Sequence, residues 1–294
     1  MYRGPKPVSY VPIDAGACAG AGAGRAPARS VGAGERISRC FPYNPSSYRP
    51  THELQIFRLK MLSRVVAITG CDSGLGWAMA ARAAREGLIT VAGLYKEGET
   101  PASKALTALC AHTCPLDVTN QSSVENFKSY VAKLLMENPD YKLYAVVNNA
   151  GVMTIGDYEW QTPEMIERPI AVNLLGSMRV VSAFLPELRK IAIENVIKPR
   201  IINVVSHCGL QPLPGFGPYC ASKAGVIAWT RALRMELQPY GLNVSTFIPG
   251  TGVALKEGCG QMKQLVAEMV LTSHLGMVEG TGSPWKVIDS VTGF

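Results

Sequence analysis

Tyr219 and Lys223 stand four residues apart in the run YCASK, at the start of a segment whose apolar spacing predicts a helix over residues 219–237. Residues at i and i+4 share one helix face, which brings a cationic amine beside a phenol. The phenol's ordinary pKa is about 10, and a neighbouring positive charge is expected to lower it toward the working pH. Such a phenol can take a proton from an alcohol or return one to a nascent alkoxide. Ser206 lies thirteen residues earlier, at the end of a predicted strand, where its hydroxyl could hold the oxygen that exchanges the proton. Tyr and Lys at this spacing are common on surface helices, so the pair takes its weight from Ser206 and from a glycine loop upstream.

That loop is Thr69-Gly70-Cys71-Asp72-Ser73-Gly74-Leu75-Gly76, between a predicted strand and a predicted helix. Gly70 permits a tight turn, Gly74 lets backbone amides approach a pyrophosphate, and Gly76 lets the helix pack closely on the sheet. Ser73 and Leu75 complete the stretch that faces the phosphates, where the positive end of a helix dipole favours their charge. A dinucleotide is the ligand class this implies, and its type is read at the end of the second strand. An acid there accepts from a ribose hydroxyl and favours NAD, whereas a base pairs with the 2′-phosphate of NADP. Leu94-Tyr95-Lys96-Glu97 carries both signs, and Lys96 tips the expectation slightly toward NADP. Asp117, followed by Val118 at the end of the third strand, is suited to accept from the adenine amino group or, alternatively, to cap a turn.

The elements that must position these groups are short apolar runs alternating with helical segments from Arg64 onward. Strands are predicted at 64–69, 89–94, a short run ending at Leu116, 143–148, 200–206 and 242–248. Helices are predicted at 75–86, near 103–111, at 122–136 introduced by Thr119, over a long region from Pro163 to about Lys190, and at 219–237. Strand and helix in alternation imply an α/β domain: one Rossmann-like, doubly wound parallel sheet with helices on both faces. Ligands then belong at the carboxyl ends of the strands, where the motifs fall.

Composition excludes several classes. At 294 residues with 47% apolar content the chain can bury a large core. Of the net charge of +7, +6 belongs to residues 1–60, with nine Lys/Arg against three Asp/Glu, while 61–294 holds 20 basic and 19 acidic residues. A nucleic-acid groove in the domain is therefore not expected. No apolar run approaches the roughly 18 residues of a transmembrane span. The eight cysteines read as reduced thiols in a reducing compartment, and neither they nor the four scattered histidines have zinc-site spacing, so no metal is expected. Residues 1–60, rich in Gly, Ala, Pro and Ser, are expected to be a disordered leader ahead of one domain over 61–294. An intracellular, cytoplasmic location follows, or a mitochondrial one if the basic leader acts as a transit peptide.

Thr69-Gly-x-x-x-Gly-x-Gly76, Asn148-Asn149-Ala150-Gly151, Asn173 in VNLLG, Ser206, Tyr219-x-x-x-Lys223 and Pro249-Gly250 together resemble, in order, the motifs of short-chain dehydrogenases/reductases. TGCDSGLG, VAGLYK and GPYCASKAGV look like the branch containing retinol, 17β-hydroxysteroid and 3-hydroxybutyrate dehydrogenases. The likeness covers residues 64–250 and implies an NAD(P)-dependent oxidoreductase interconverting an alcohol and a carbonyl, on an apolar steroid or retinoid. It implies that Ser206 orients substrate, Tyr219 exchanges the proton, Lys223 tunes Tyr219 and binds the nicotinamide ribose, and Asn173 holds a relay water. Asn149, Ala150, Gly151, Pro249 and Gly250 would line the cofactor. Residues 254–294 depart from this pattern, giving at most a helix near 261–275 and no seventh strand. The alternative is a nucleotide-binding homologue with an incomplete substrate pocket and no catalysis. The expected partner is a small molecule, and association into homo-oligomers is left open.

Overall fold

Alternate residues of RVVAIT point to opposite sides of the sheet, yet all six are buried, so both faces of this strand must be covered. The computed structural model describes residues 63–194 and 198–249. In chain order these form β1 (Arg64–Thr69), α1 (Gly74–Arg85), β2 (Ile89–Leu94), α2 (Pro101–Ala108), β3 (His112–Pro115) and α3 (Gln121–Glu137). They continue as β4 (Lys142–Asn148), α4 (Pro163–Pro169), a π-helical turn (Ile170–Gly176), α5 (Ser177–Glu194), β5 (Arg200–Val204), α6 (Gly217–Leu237) and β6 (Asn243–Phe247). The strands form a parallel sheet in the order β3-β2-β1-β4-β5-β6. The strand order reverses between β1 and β4, and a crevice at such a switch point is where an open α/β sheet binds its ligand.

The two cores follow from the alternation along β1. Val66 and Ile68 pack under α1 and α2 with Met79, Leu106 and Tyr144. Val65 and Ala67 face the other side, with Phe127 of α3, Phe184 and Leu188 of α5, and Leu237 of α6. Phe127 and Phe184 meet edge to face with ring centroids 5.9 Å apart. Each is fully buried, and such burial stabilises by roughly 1.5–3 kcal/mol per side chain.

Local chemistry explains where the helices differ from the sequence expectation. Asn120, not Thr119, caps α3, its side chain accepting from Ser123 N at 3.1 Å. Thr119 instead donates to Asp117 through its amide at 2.9 Å and its hydroxyl at 2.7 Å. The long helical region from Pro163 is broken into α4, the π-helical turn and α5. Pro169 has no N–H for the carbonyl of Met165, and the Thr154 hydroxyl donates to that oxygen instead, at 2.9 Å. By length and composition the 32 residues from Pro163 to Glu194 could cross a membrane, a point the run-length criterion missed. In this fold the α5 part sends Val180, Val181, Phe184 and Leu188 into the core.

Cys71, Cys114, Cys208 and Cys220 are free thiols. Cys110 is disulfide-bonded, a departure from the expectation that all eight cysteines are reduced. The expected leader, Gly250, the helix near 261–275 and the question of a seventh strand lie outside the described residues.

Candidate active site

The carboxyl ends of β1, β4 and β5 and the N-terminal turns of α6 converge on one crevice. Pro218, at the second position of α6, suits a helix start because the missing N–H would have had no intrahelical partner. Tyr219 and Lys223 follow on one face. Ser206 stands just past β5, close enough to the Tyr219 phenol to act on its pKa, and its hydroxyl accepts from Cys208 N at 3.2 Å. Ser206 thus both caps a short turn and meets the phenol. Lys223 is 5% exposed, and its Nζ donates to Val204 O at 3.0 Å.

Burial dominates the electrostatics. Removal from water lowers the Lys223 pKa to about 8, because the charged amine loses hydration. It also pushes the Tyr219 pKa above its ordinary value; the nearby Ser206 hydroxyl pulls it back, and Cys208 and Cys220 add to the rise. The expected lowering of Tyr219 by Lys223 is therefore not found. The ammonium turns to the Val204 carbonyl and stands 5.9 Å from the centre of the phenol ring, so desolvation wins.

Asn173 lies in the π-helical turn and is 1% exposed. Its Oδ1 accepts from Val152 N at 2.8 Å, and its Nδ2 donates to Val152 O and to Ser222 Oγ, each at 2.9 Å. Ser222 in turn donates to the Tyr219 carbonyl at 2.7 Å. This chain ties the turn, the loop after β4 and the first turn of α6 into one unit. Gly151 sits where an added Cβ would be 3.3 Å from Asn173 Oδ1 and 3.5 Å from Lys223 Nζ.

A second buried chain holds α6 to the sheet. Asn148 Nδ2 donates to Asn203 Oδ1 at 2.7 Å, and Asn203 Nδ2 donates to Thr230 Oγ1 at 2.8 Å. Thr230 is two turns beyond Lys223 and faces the same side. Asn203→Leu removes the acceptor of Asn148, whose Oδ1 already has no hydrogen-bond partner. The expected cost is about 2 kcal/mol, read as a lower unfolding midpoint in urea at unchanged slope. An unchanged midpoint would show that this chain contributes nothing to the position of α6.

The glycine loop has the geometry expected for phosphate approach. Gly70 has a φ of +71°, and a Cβ there would come within 2.7 Å of Ala150 Cα. Gly76 packs against Gly70 O and Asn149 Nδ2, leaving no room for a side chain. Asn149 Nδ2 donates to Thr69 O at 3.0 Å and Gly70 O at 3.1 Å, while Thr69 Oγ1 accepts from the amides of Asn149 and Ala150 at 3.0 and 2.9 Å. Thr100, Asn120 and Thr162 cap α2, α3 and α4 with side-chain hydrogen bonds. At α1, Ser73 makes no such bond and the first turn holds no acid, so its amide-rich end suits an anionic group.

These residues could hold a dinucleotide laid across the strand ends. The short chain dehydrogenase description matches residues 64–254. The chain belongs to the short chain dehydrogenase family.

Among its relatives is "D-beta-hydroxybutyrate dehydrogenase, mitochondrial" of Bos taurus, 34% identical over 209 residues, covering 70% of this chain and 59% of that protein. Retinol dehydrogenase 5 of Mus musculus is 33% identical over 186 residues, covering 63% and 55%. Retinol dehydrogenase 16 of Rattus norvegicus is 30% identical over 248 residues, covering 77% and 75%. The chain thus spans little more than half the length of the first two. A crystal structure of a short-chain dehydrogenase from Streptomyces avermitilis superposes with a TM-score of 0.57 at 26% identity, covering 66% of this chain and 69% of that one.

Within this short chain dehydrogenase fold, Gly70, Gly74, Gly76, Asn149, Ala150, Gly151, Asn173, Ser206, Tyr219 and Lys223 gather around the crevice. Pro249, past β6, is half-buried. Leu75 packs against the core under α1, and the buried Val118 side chain packs against Gly176, so Val118 could meet a ligand only through its backbone. Asp117 spends one carboxylate oxygen capping the turn at Thr119, the bland alternative to adenine contact. Lys96 is exposed. Sequence reasoning missed Ser222, Asn203, Thr230 and Asp72. Ser222, inside YCASK, offered the one readable sign, since a small hydroxyl residue one position before Lys223 can reach back to the preceding turn.

Proposed function

We propose that this chain is an NAD(P)-dependent oxidoreductase that interconverts an alcohol and a carbonyl group. The observation that carries the reading is the phenol of Tyr219, near the Ser206 hydroxyl and sharing a helix face with the buried Lys223, in a fold whose α1 N-terminus is left uncapped. A bound nicotinamide dinucleotide supplies or takes up the hydride. Ser206 holds the substrate oxygen, and Tyr219 gives it a proton or removes one. Lys223, on the same helix face as Tyr219, anchors the nicotinamide ribose. Asn173 supports the route for protons past Lys223 and, through Ser222, holds the backbone of Tyr219. Gly70 and Ser73 to Gly76 face the pyrophosphate, Asn149 to Gly151 and Pro249 the nicotinamide half, and Asp117 and Val118 the adenine.

An apolar substrate, such as a steroid or retinoid, fits the mouth of the crevice. Met153, Ile155, Leu210 and Leu213 are all exposed there, on loops after β4 and β5 that are joined by Gly156 N donating to Gly215 O at 3.0 Å. The relatives named for retinol support this class. The site of action in this reading is intracellular, cytoplasmic or mitochondrial.

The test is fluorescence titration of the full chain with NADH and NADPH, beside turnover on a panel of apolar alcohols and ketones. Saturable binding of at least one nucleotide and oxidation of a secondary or primary alcohol are expected. Binding without turnover on any member would favour the non-catalytic homologue, and no binding at all would remove the nucleotide reading.

A further inference from the structure

Asp72 belongs to the loop between β1 and α1, but its carboxylate reaches across to the end of β2. Oδ2 accepts from Tyr95 N at 2.8 Å and Oδ1 accepts from Lys96 N at 2.9 Å. Tyr95 and Lys96 are the first two residues after that strand. Both oxygens are therefore held by charge-assisted hydrogen bonds, in a half-buried position set by the backbone of two segments.

We infer that Asp72 makes this protein select NAD over NADP. The inference rests on the nicotinamide-dinucleotide reading above and concerns the adenosine end of the same site. In a sheet of this order the ribose of that half meets the end of β2, where an acid side chain usually accepts from the 2′-hydroxyl. Here the strand ends at Leu94 and is followed by Tyr95 and Lys96, without an acid before Glu97, and the neighbouring glycine loop delivers the carboxylate. A carboxylate has about four acceptor positions, and the two backbone amides use two, so a ribose hydroxyl can still donate to it. A 2′-phosphate fares worse on two counts. It meets a fixed negative charge at close range, and the two amides that could have received its oxygens are already occupied. Lys96 offers an opposite charge, but its exposed side chain is solvated and flexible, and ion pairs of that kind contribute little. The rigid charge outweighs the mobile one, which reverses the lean toward NADP drawn from Lys96 alone.

The experiment is equilibrium titration of the full chain with NADH and with NADPH, together with the rise in melting temperature that each produces. Wild type is expected to bind NADH at least about tenfold more tightly, and Asp72→Asn to reduce that ratio about tenfold, mainly by gaining NADPH affinity. Asp72→Glu keeps the charge and is expected to keep the preference for NADH. Equal or tighter NADPH binding by wild type overturns the inference. So does an Asp72→Asn variant that loses both nucleotides in equal proportion, since the side chain would then only hold the loop. If Asp72→Asn fails to fold, the wild-type ratio and Asp72→Glu decide, loss of the preference in Asp72→Glu counting against the inference. A folded wild type that binds neither nucleotide refutes the broader nicotinamide reading instead.

Discussion

Tyr219→Phe is expected to lower kcat for carbonyl reduction and alcohol oxidation by roughly 10²–10⁴-fold, while nucleotide affinity changes less than about threefold. The substitution removes one oxygen and no buried apolar contact, so the fold and the glycine loop remain. The pH profile separates a chemical role from a structural one. Because burial raises the Tyr219 pKa, the phenol stays protonated through the neutral range. As a base it becomes available only as pH rises, so kcat/KM for oxidation should climb as pH rises above neutral, and reduction should not. The residual activity of Tyr219→Phe should lack that climb. A variant that keeps near-normal turnover, or loses turnover and nucleotide affinity together, would remove Tyr219 from the proposed chemistry.

Lys223→Met is expected to cripple turnover and yet yield a more stable protein at pH 7. The folded-state pKa of Lys223, about 8, lies below the ordinary 10.5 that it regains on unfolding. Below pH 8 the amine is charged in both states, and the folded state carries the whole penalty of burying it. Between about pH 8 and 10.5 the unfolded chain binds the extra proton, so wild-type stability should rise with pH across that window. A shift of this size corresponds to roughly 3 kcal/mol, and loss of the hydrogen bond to Val204 O offsets about 1 kcal/mol. Lys223→Met should therefore gain about 2 kcal/mol at pH 7 and lose the advantage by about pH 10. Urea unfolding of both proteins at a series of pH values reads this directly. A wild-type stability that is flat between pH 8 and 10 would show that the buried amine carries no such cost. The gain in stability at the expense of activity is what a strained functional group predicts.

Much of the site was legible because its motifs have local causes. The glycine spacing in TGCDSGLG, the i, i+4 pair in YCASK and the six apolar runs are each properties of short segments, and each appears where its pattern placed it. The strand RVVAIT reads as buried on both faces because its four central residues are apolar, with Arg64 and Thr69 at its two ends. Helix boundaries were less legible. Whether Thr119 or Asn120 caps α3 depends on which side chain finds a competing partner, and Thr119 finds Asp117. The π-helical turn at Ile170–Gly176 follows Pro169, which sequence shows, but its continuation into α5 depends on Thr154, eleven residues before Met165, reaching the orphaned carbonyl.

The amino-acid sequence by itself determined the parallel α/β architecture and singled out the groups proposed to exchange the proton, since alternation of apolar runs and short-range spacing are local properties. Only the tertiary structure decided their electrostatics and their partners. Burial of Lys223 and Tyr219 is produced by elements far away in sequence, and it reverses the expected direction of the phenol's shift. The reach of Asp72 to Tyr95 and Lys96 spans 23 and 24 residues and exists only because β1 and β2 lie side by side, so no window of sequence contains both the carboxylate and the amides that hold it.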